Sequence, residues 1–272
     1  MPLNNAALPS SPLTHLPGSF VQLLLRGLLA GLIAGILAGG VAFFIGEPHV
    51  DAAIAIEDAA GGHSHGGEEV TAAHDEEETP LVSRDGQKVG LFLATGLAGL
   101  ALGAIFAVVV HYARRFVTLR GPVLALVIAG GGWLAIEAVP FFKYPANPPA
   151  VGDPDTITQR TWLWLASVVL GLLAVVVAAY VSKLVAAQSS IATRIAAPLA
   201  GFLVVVIAGY VLLPGINEVG TDFPATLLWQ FRISSLTIQA TLWISLGLAF
   251  AYLTERATRS DQSRSATALS NN

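Results

Sequence analysis

Six long apolar runs divide the chain, at about 20–46, 88–112, 122–142, 162–183, 195–213 and 233–253, each nearly free of charge and bounded by polar stretches. A helix needs about 20 predominantly apolar residues to cross a hydrocarbon layer roughly 30 Å thick. In hydrocarbon every backbone amide must be satisfied within its own segment, and the ten-residue alternation of a membrane barrel is absent. The pattern therefore predicts an all-α polytopic transmembrane helix bundle of about six spans over residues 20–256, arranged in up to three helix hairpins. The fifth run is the shortest and carries Pro198 and Pro214 at its flanks. The first is too long for the apolar region of a signal peptide, about 7 to 15 residues, and no Lys or Arg precedes Arg26, so an uncleaved span is expected.

Span one reads RGLLAGLIAGILAGG, with Gly27, Gly31, Gly35 and Gly39 four apart and Ala30, Ala34 and Ala38 on a neighbouring row. Small residues at this spacing let a second helix approach closely. Span two carries a weaker copy in Gly99 and Gly103. Packing, not chemistry, is the expected use of both.

Composition supports the membrane reading: 54% of residues are hydrophobic and 12% charged. Cysteine is absent, so disulfides and thiolate ligands are excluded. Basic residues give the orientation. With the N-terminus inside, Arg26, Arg114, Arg115, Arg120, Lys183, Arg194, Arg256, Arg259 and Arg264 fall on the cytoplasmic side, and Arg84, Lys88, Lys143, Arg160 and Arg232 outside. That bias predicts two cytoplasmic termini: a tail at 1–19, and a polar tail at 257–272 expected to be disordered. Membrane lipid is the expected surrounding, and no nucleic-acid partner is expected.

The 47–87 segment then becomes an outer loop, containing the stretch GGHSHGGEEVTAAHDEEE. Here His63 and His65 stand one residue apart between glycines, and His74, Glu68 and Glu69 can complete a shell around one ion. Imidazole with carboxylate and no sulfur suits borderline divalent ions such as Co, Ni, Zn or Cu. A flexible loop can capture such an ion but cannot select among them. The bland alternative is a solvated acidic linker with incidental histidines.

Ionisable groups near the spans are the second candidate set, because a charge facing lipid is costly and usually faces a cavity or partner instead. Glu137 lies about a turn from the outer end of span three, just before Pro140. Arg232, Ser235 and Gln239 share one face of span six. Glu47, Asp51, Glu57 and Asp58 follow span one, and Glu218 and Asp222 follow span five. Singly, each is explained by snorkelling to the interface; together they predict an acidic vestibule outside, with Glu137 paired to Arg232. A faint internal echo links GDPDTITQRTWLW before span four to TDFPATLLWQFR before span six. His111, beside Arg114 and Arg115, reads as an interfacial polar residue. No phosphate loop or HExxH motif is present, and the spans hold no GxSxG, so no enzymatic activity and no cofactor are expected.

The segments GEPHVDAAIAIEDA, EAVPFFKYPANPPAVGDPDTITQRT and LPGINEVGTDFPATLLWQFRISSLTIQATLW resemble those of the CbtA family of probable cobalt transporter subunits. The resemblance runs from about residue 20 to 256, and FFKYPANPPAVGDPDT is its most specific part. It implies a multi-pass subunit of the bacterial inner membrane, taking up cobalt for cobalamin synthesis with CbtB, a small single-span partner bearing histidines. The family is commonly described with five spans, against six counted here. A non-transporting scaffold or metal-binding receptor, assembled with another subunit through span one, is the alternative function.

Overall fold

A computed structural model describes residues 18–61, 83–188 and 190–270. Six helices are long and apolar enough to cross a membrane. The first begins at α1 (Phe20–Val41), widens into a π-helical turn at Ala42–Gly46 and continues as α2 (Glu47–Gly61). Next come α3 (Arg84–Ala113) and α4 (Gly121–Trp133), and α4 widens at Leu134–Ala138 before a last turn, α5 (Val139–Lys143). A 3₁₀ turn at Pro154–Thr156 leads into α6 (Ile157–Leu184), followed by α7 (Ile191–Leu212) and α8 (Ala225–Ser270).

Local chemistry accounts for the boundaries. Ser19 caps α1 in a box with Gln22, and the hydroxyls of Ser83 and Ser190 accept from the first turns of α3 and α7. Both π turns lie immediately before a proline, Pro48 or Pro140. A proline inside an α-helix lacks a donor and its ring strikes the carbonyl one turn back; a turn one residue wider relieves that collision without ending the helix.

Two differences from the sequence expectation follow. The first helix runs on through Gly61, so residues 47–61 are not loop. Charged Glu47, Asp51, Glu57 and Asp58 had suggested water, but Ala and Ile between them sustain the helix, and Arg84 and Lys88 of α3 neutralise Glu47 and Asp51. The 257–270 segment, expected to lack structure, continues α8, having neither Pro nor Gly to stop it.

The core is formed by α1, α3, α4 and α8, where Leu23, Ala30, Phe106, Val110, Leu124, Leu246 and Phe250 are buried together. The small-residue stripes of α1 and α3 face each other: a Cβ on Gly27 would overlap the Gly103 carbonyl oxygen, and one on Gly31 that of Gly99. The small-residue stripe of α1 is thus consumed inside the chain, and the face of α1 left exposed carries larger apolar residues such as Leu25, Leu29 and Ile36. Gly132 makes room for the Trp243 ring where α4 meets α8. The α6–α7 hairpin joins this core through Gly171, which lies against the Ala135 carbonyl of the second π turn. The α1–α3 and α6–α7 contacts join consecutive spans, whereas α8 packs against both α1 and α4.

Alternation of the spans puts the end of α2, the start of α3 and the 144–156 and 213–224 connections at one end of the bundle. That end is called the loop face here, and the opposite end the terminal face.

Candidate functional site

Beneath the loop face lies a cavity of about 620 Å³, walled by the π turn after α4, the 144–156 connection, α6, the 213–224 connection and α8. Four residues singled out in the sequence, Glu137, Glu218, Arg232 and Gln239, line it together. They come from three segments, the first to the last about 100 residues apart. Ser235, Asn147, Arg160, Thr161, Tyr144 and Trp164 join them.

The rim is built first. Pro145, Pro148 and Pro149 stiffen the 144–156 connection, and Ala150 and Gly152 turn it with positive φ of 65° and 129°. Glycine is required at 152 for a second reason, since a Cβ there would lie 2.5 Å from Nη1 of Arg160. Glu218 clamps the two connections: its carboxylate accepts from the Asp153 backbone N–H at 3.0 Å and the Thr156 hydroxyl at 2.5 Å, and pairs with Arg160 at 3.3 Å. The Thr156 hydroxyl first, then the Asp153 amide and the Arg160 charge, hold this carboxyl below the usual glutamate range. Tyr144 donates to the Pro214 carbonyl at 2.7 Å, tying the same connections again, and Lys143 of α5 donates to the Tyr210 carbonyl of α7 at 2.9 Å just beneath them.

Depth along the cavity follows from the helix rise of about 1.5 Å per residue. Arg232 stands on the second turn of α8, Gln239 about 10 Å further in, and Trp243 one turn beyond that. Glu137 lies about 9 Å inward of Lys143, half-buried, and accepts from the Trp243 indole at 3.4 Å. The cavity is therefore guanidinium-rich at its rim and carboxylate-bearing at its base.

The expected ion pair between Glu137 and Arg232 is not formed. Arg232 donates instead to the Ala146 carbonyl at 3.2 Å and to the Asn147 side-chain oxygen at 2.9 Å. Both groups line one cavity, but at different depths, so the connection bends down to meet the arginine before any carboxylate can. Asn147 and Trp243 are the partners that sequence reading missed; the prolines flanking YPANPP were the available sign of a loop held rigid for a purpose.

Glu47 and Asp222 stand apart from the cavity lining. Glu47 and Asp51 form a network with Arg84 and Lys88 that fastens α2 to α3. Asp222 is exposed and accepts only from Thr221 at 3.4 Å. His63, His65, His74, Glu68 and Glu69 lie outside the described residues. Among the described residues no three histidine or carboxylate side chains gather into a metal-holding group.

A second polar contact marks the first π turn. Nδ1 of His49 lies 2.8 Å from the Ile45 carbonyl oxygen and 3.1 Å from the buried Ser234 hydroxyl of α8. His49, three residues beyond the first π turn, and Glu137, within the second, thus each set a polar side chain against α8.

A family profile described as "Probable cobalt transporter subunit (CbtA)" matches residues 20–255. No curated protein and no solved structure matched the chain.

Proposed function

The chain belongs to the CbtA family of probable cobalt transporter subunits, and from that premise we propose that the cavity beneath the loop face is the vestibule through which divalent metal reaches the membrane. The loop face is then extracytoplasmic and both termini cytoplasmic, in the bacterial inner membrane. The basic-residue bias supports this orientation. All five basic residues assigned outside are also engaged near that end: Arg84 and Lys88 with Glu47 and Asp51, Arg160 with Glu218, Lys143 with a carbonyl, and Arg232 with Ala146 and Asn147.

The observation that carries the reading is the convergence of Glu137 and Gln239 at the base of a cavity open toward one membrane face. A carboxylate at that depth costs about 2.5 to 3.5 kcal/mol at most on insertion scales, less toward the interface, and a water-lined cavity is where that cost is relieved. It also attracts a cation. Ahead of the cavity, the histidine and glutamate stretch at 61–78, with His63, His65, His74, Glu68 and Glu69, collects metal and raises its local concentration. A small single-span, histidine-bearing subunit completes the transporter, and cobalt is the cargo, serving cobalamin synthesis. No step in this account makes or breaks a covalent bond, so the protein acts as a carrier and not as an enzyme.

The test is uptake of radioactive cobalt by cells expressing the chain with its small partner. Glu137→Gln should reduce uptake at least tenfold at unchanged protein level in the membrane. Full uptake by that variant would remove the base of the cavity from the metal path.

A further inference from the structure

The charge order of the cavity does not suit a bare cation. An ion arriving from the loop face meets Arg160 and Arg232 before Glu137. Of these, Arg160 is matched by Glu218, while Arg232 has only neutral acceptors among the described residues, the Ala146 carbonyl and the Asn147 amide oxygen. Arg160 is incompletely served as well, since its Nε is buried without a hydrogen-bond partner. With Arg160 matched by Glu218, the Arg232 guanidinium is the rim group whose charge has no ionic partner among the described residues, and a group carrying negative charge is drawn to it.

Size points the same way. Six coordinated waters occupy roughly 180 Å³ at about 30 Å³ each, less than a third of the 620 Å³ present. Volumes of about 300 to 1,000 Å³ with aromatic walls and a few placed polar groups are those of small organic ligands. Tyr144, Phe141 and Trp164 supply such walls. The ligand count agrees: among the described residues no three histidine or carboxylate groups gather to replace the shell of a stripped ion. A metal arriving with its own organic ligands needs no such cluster.

Resting on the vestibule reading above, we propose that the cavity receives the metal as an anionic chelate of a small multidentate carboxylic acid, with a free carboxylate on Arg232 and the metal end toward Glu137 and Gln239. Arginine presents a planar fork matched to a carboxylate, which an ammonium does not. The Ala146 and Asn147 contacts use the Nε hydrogen and one hydrogen of Nη2, leaving the second hydrogen of Nη2 and those of Nη1 as the fork for the incoming group.

The test is equilibrium binding to the purified full chain of three forms of one metal: cobalt(II) in a non-coordinating buffer, cobalt(II) citrate, and the cationic complex of cobalt(II) with tris(2-aminoethyl)amine. The expected order places the citrate complex at least tenfold tighter than the aquo ion, and the cationic complex weakest. Arg232→Gln should remove the citrate preference, Arg232→Lys should retain part of it, and added NaCl should erode it in the wild type by screening. If Arg232→Gln does not fold, the Lys variant and the salt series still decide. An aquo ion that binds as well as the citrate complex, with binding reduced by Glu137→Gln, overturns the chelate proposal and leaves the vestibule standing. Binding of every form that is indifferent to both Glu137 and Arg232 overturns both.

Discussion

Replacing Gly31 by alanine is the sharpest test of how the bundle is held. A Cβ at this position overlaps the Gly99 carbonyl oxygen and lies 2.9 Å from the Gly103 Cα. Carbon atoms in contact stand about 3.5 to 4.0 Å apart, so α1 and α3 must separate locally by about 0.6 Å or more. Neither obstacle is a side chain that can turn away; both belong to backbone. Overpacking of this kind costs about 1 to 3 kcal/mol, and because the crossing is shared with Gly27, Gly99 and Gly103 the upper half of that range, about 2 kcal/mol, is expected. Gly40, on the same helix, supplies the control, since nothing lies within 4 Å of a Cβ there. Gly40→Ala should be neutral or slightly stabilising through helix propensity. The assay is unfolding by increasing SDS in mixed micelles, followed by tryptophan fluorescence. Once Gly31→Ala has parted the helices, Gly99→Ala should add less than it costs alone. Equal stability of the Gly31→Ala and Gly40→Ala proteins would refute the packing argument, as would strict additivity of the Gly31 and Gly99 changes.

Three further outcomes are expected. Gly152→Ala should strain a backbone at φ 129° and displace Arg160, giving faster amide exchange across 144–156 while exchange in α1 and α3 stays unchanged. For Glu218, whose carboxyl is held below the usual range, the clamp is fully present above about pH 4.3, the ordinary glutamate value, and is lost as pH falls through its lower folded value; protease cleavage in the 213–224 connection should rise only in that acid window, and Glu218→Gln should abolish the pH dependence. Replacing His63, His65 and His74 together by alanine should raise the apparent KM for cobalt uptake without lowering the rate at saturating metal, whereas a lowered maximal rate at normal membrane level would place the stretch in the obligatory path.

The spans were legible because hydropathy and length act locally: each apolar run had to become a helix whatever it packed against. The α1–α3 contact was half legible, since the glycine spacing announced a close approach but not with which helix. Less could be read where two residues had to be matched across the fold. Glu47 looked like a transport carboxylate until Arg84, on the far side of the 62–82 segment, was seen beside it. Glu137 and Arg232 were expected to pair at one depth, yet their partners proved to be Trp243 and Asn147. Depth along two antiparallel helices is set by where each begins, and no local pattern records that offset. The helix through 47–61 was missed because charge was taken for solvent, when a neighbouring helix supplied the countercharges.

The absence of cysteine makes one measurement unusually clean. Ser235 lines the cavity between Arg232 and Gln239, so Ser235→Cys introduces a single thiol into the proposed path. In intact cells a membrane-impermeant thiol reagent should label it from outside, cobalt supplied as its citrate complex should slow that labelling, and the labelled protein should no longer take up cobalt. Labelling of Ser235→Cys only after the membrane is broken, or undiminished cobalt uptake by fully labelled protein, would contradict the claim that this cavity is the outward door for the metal.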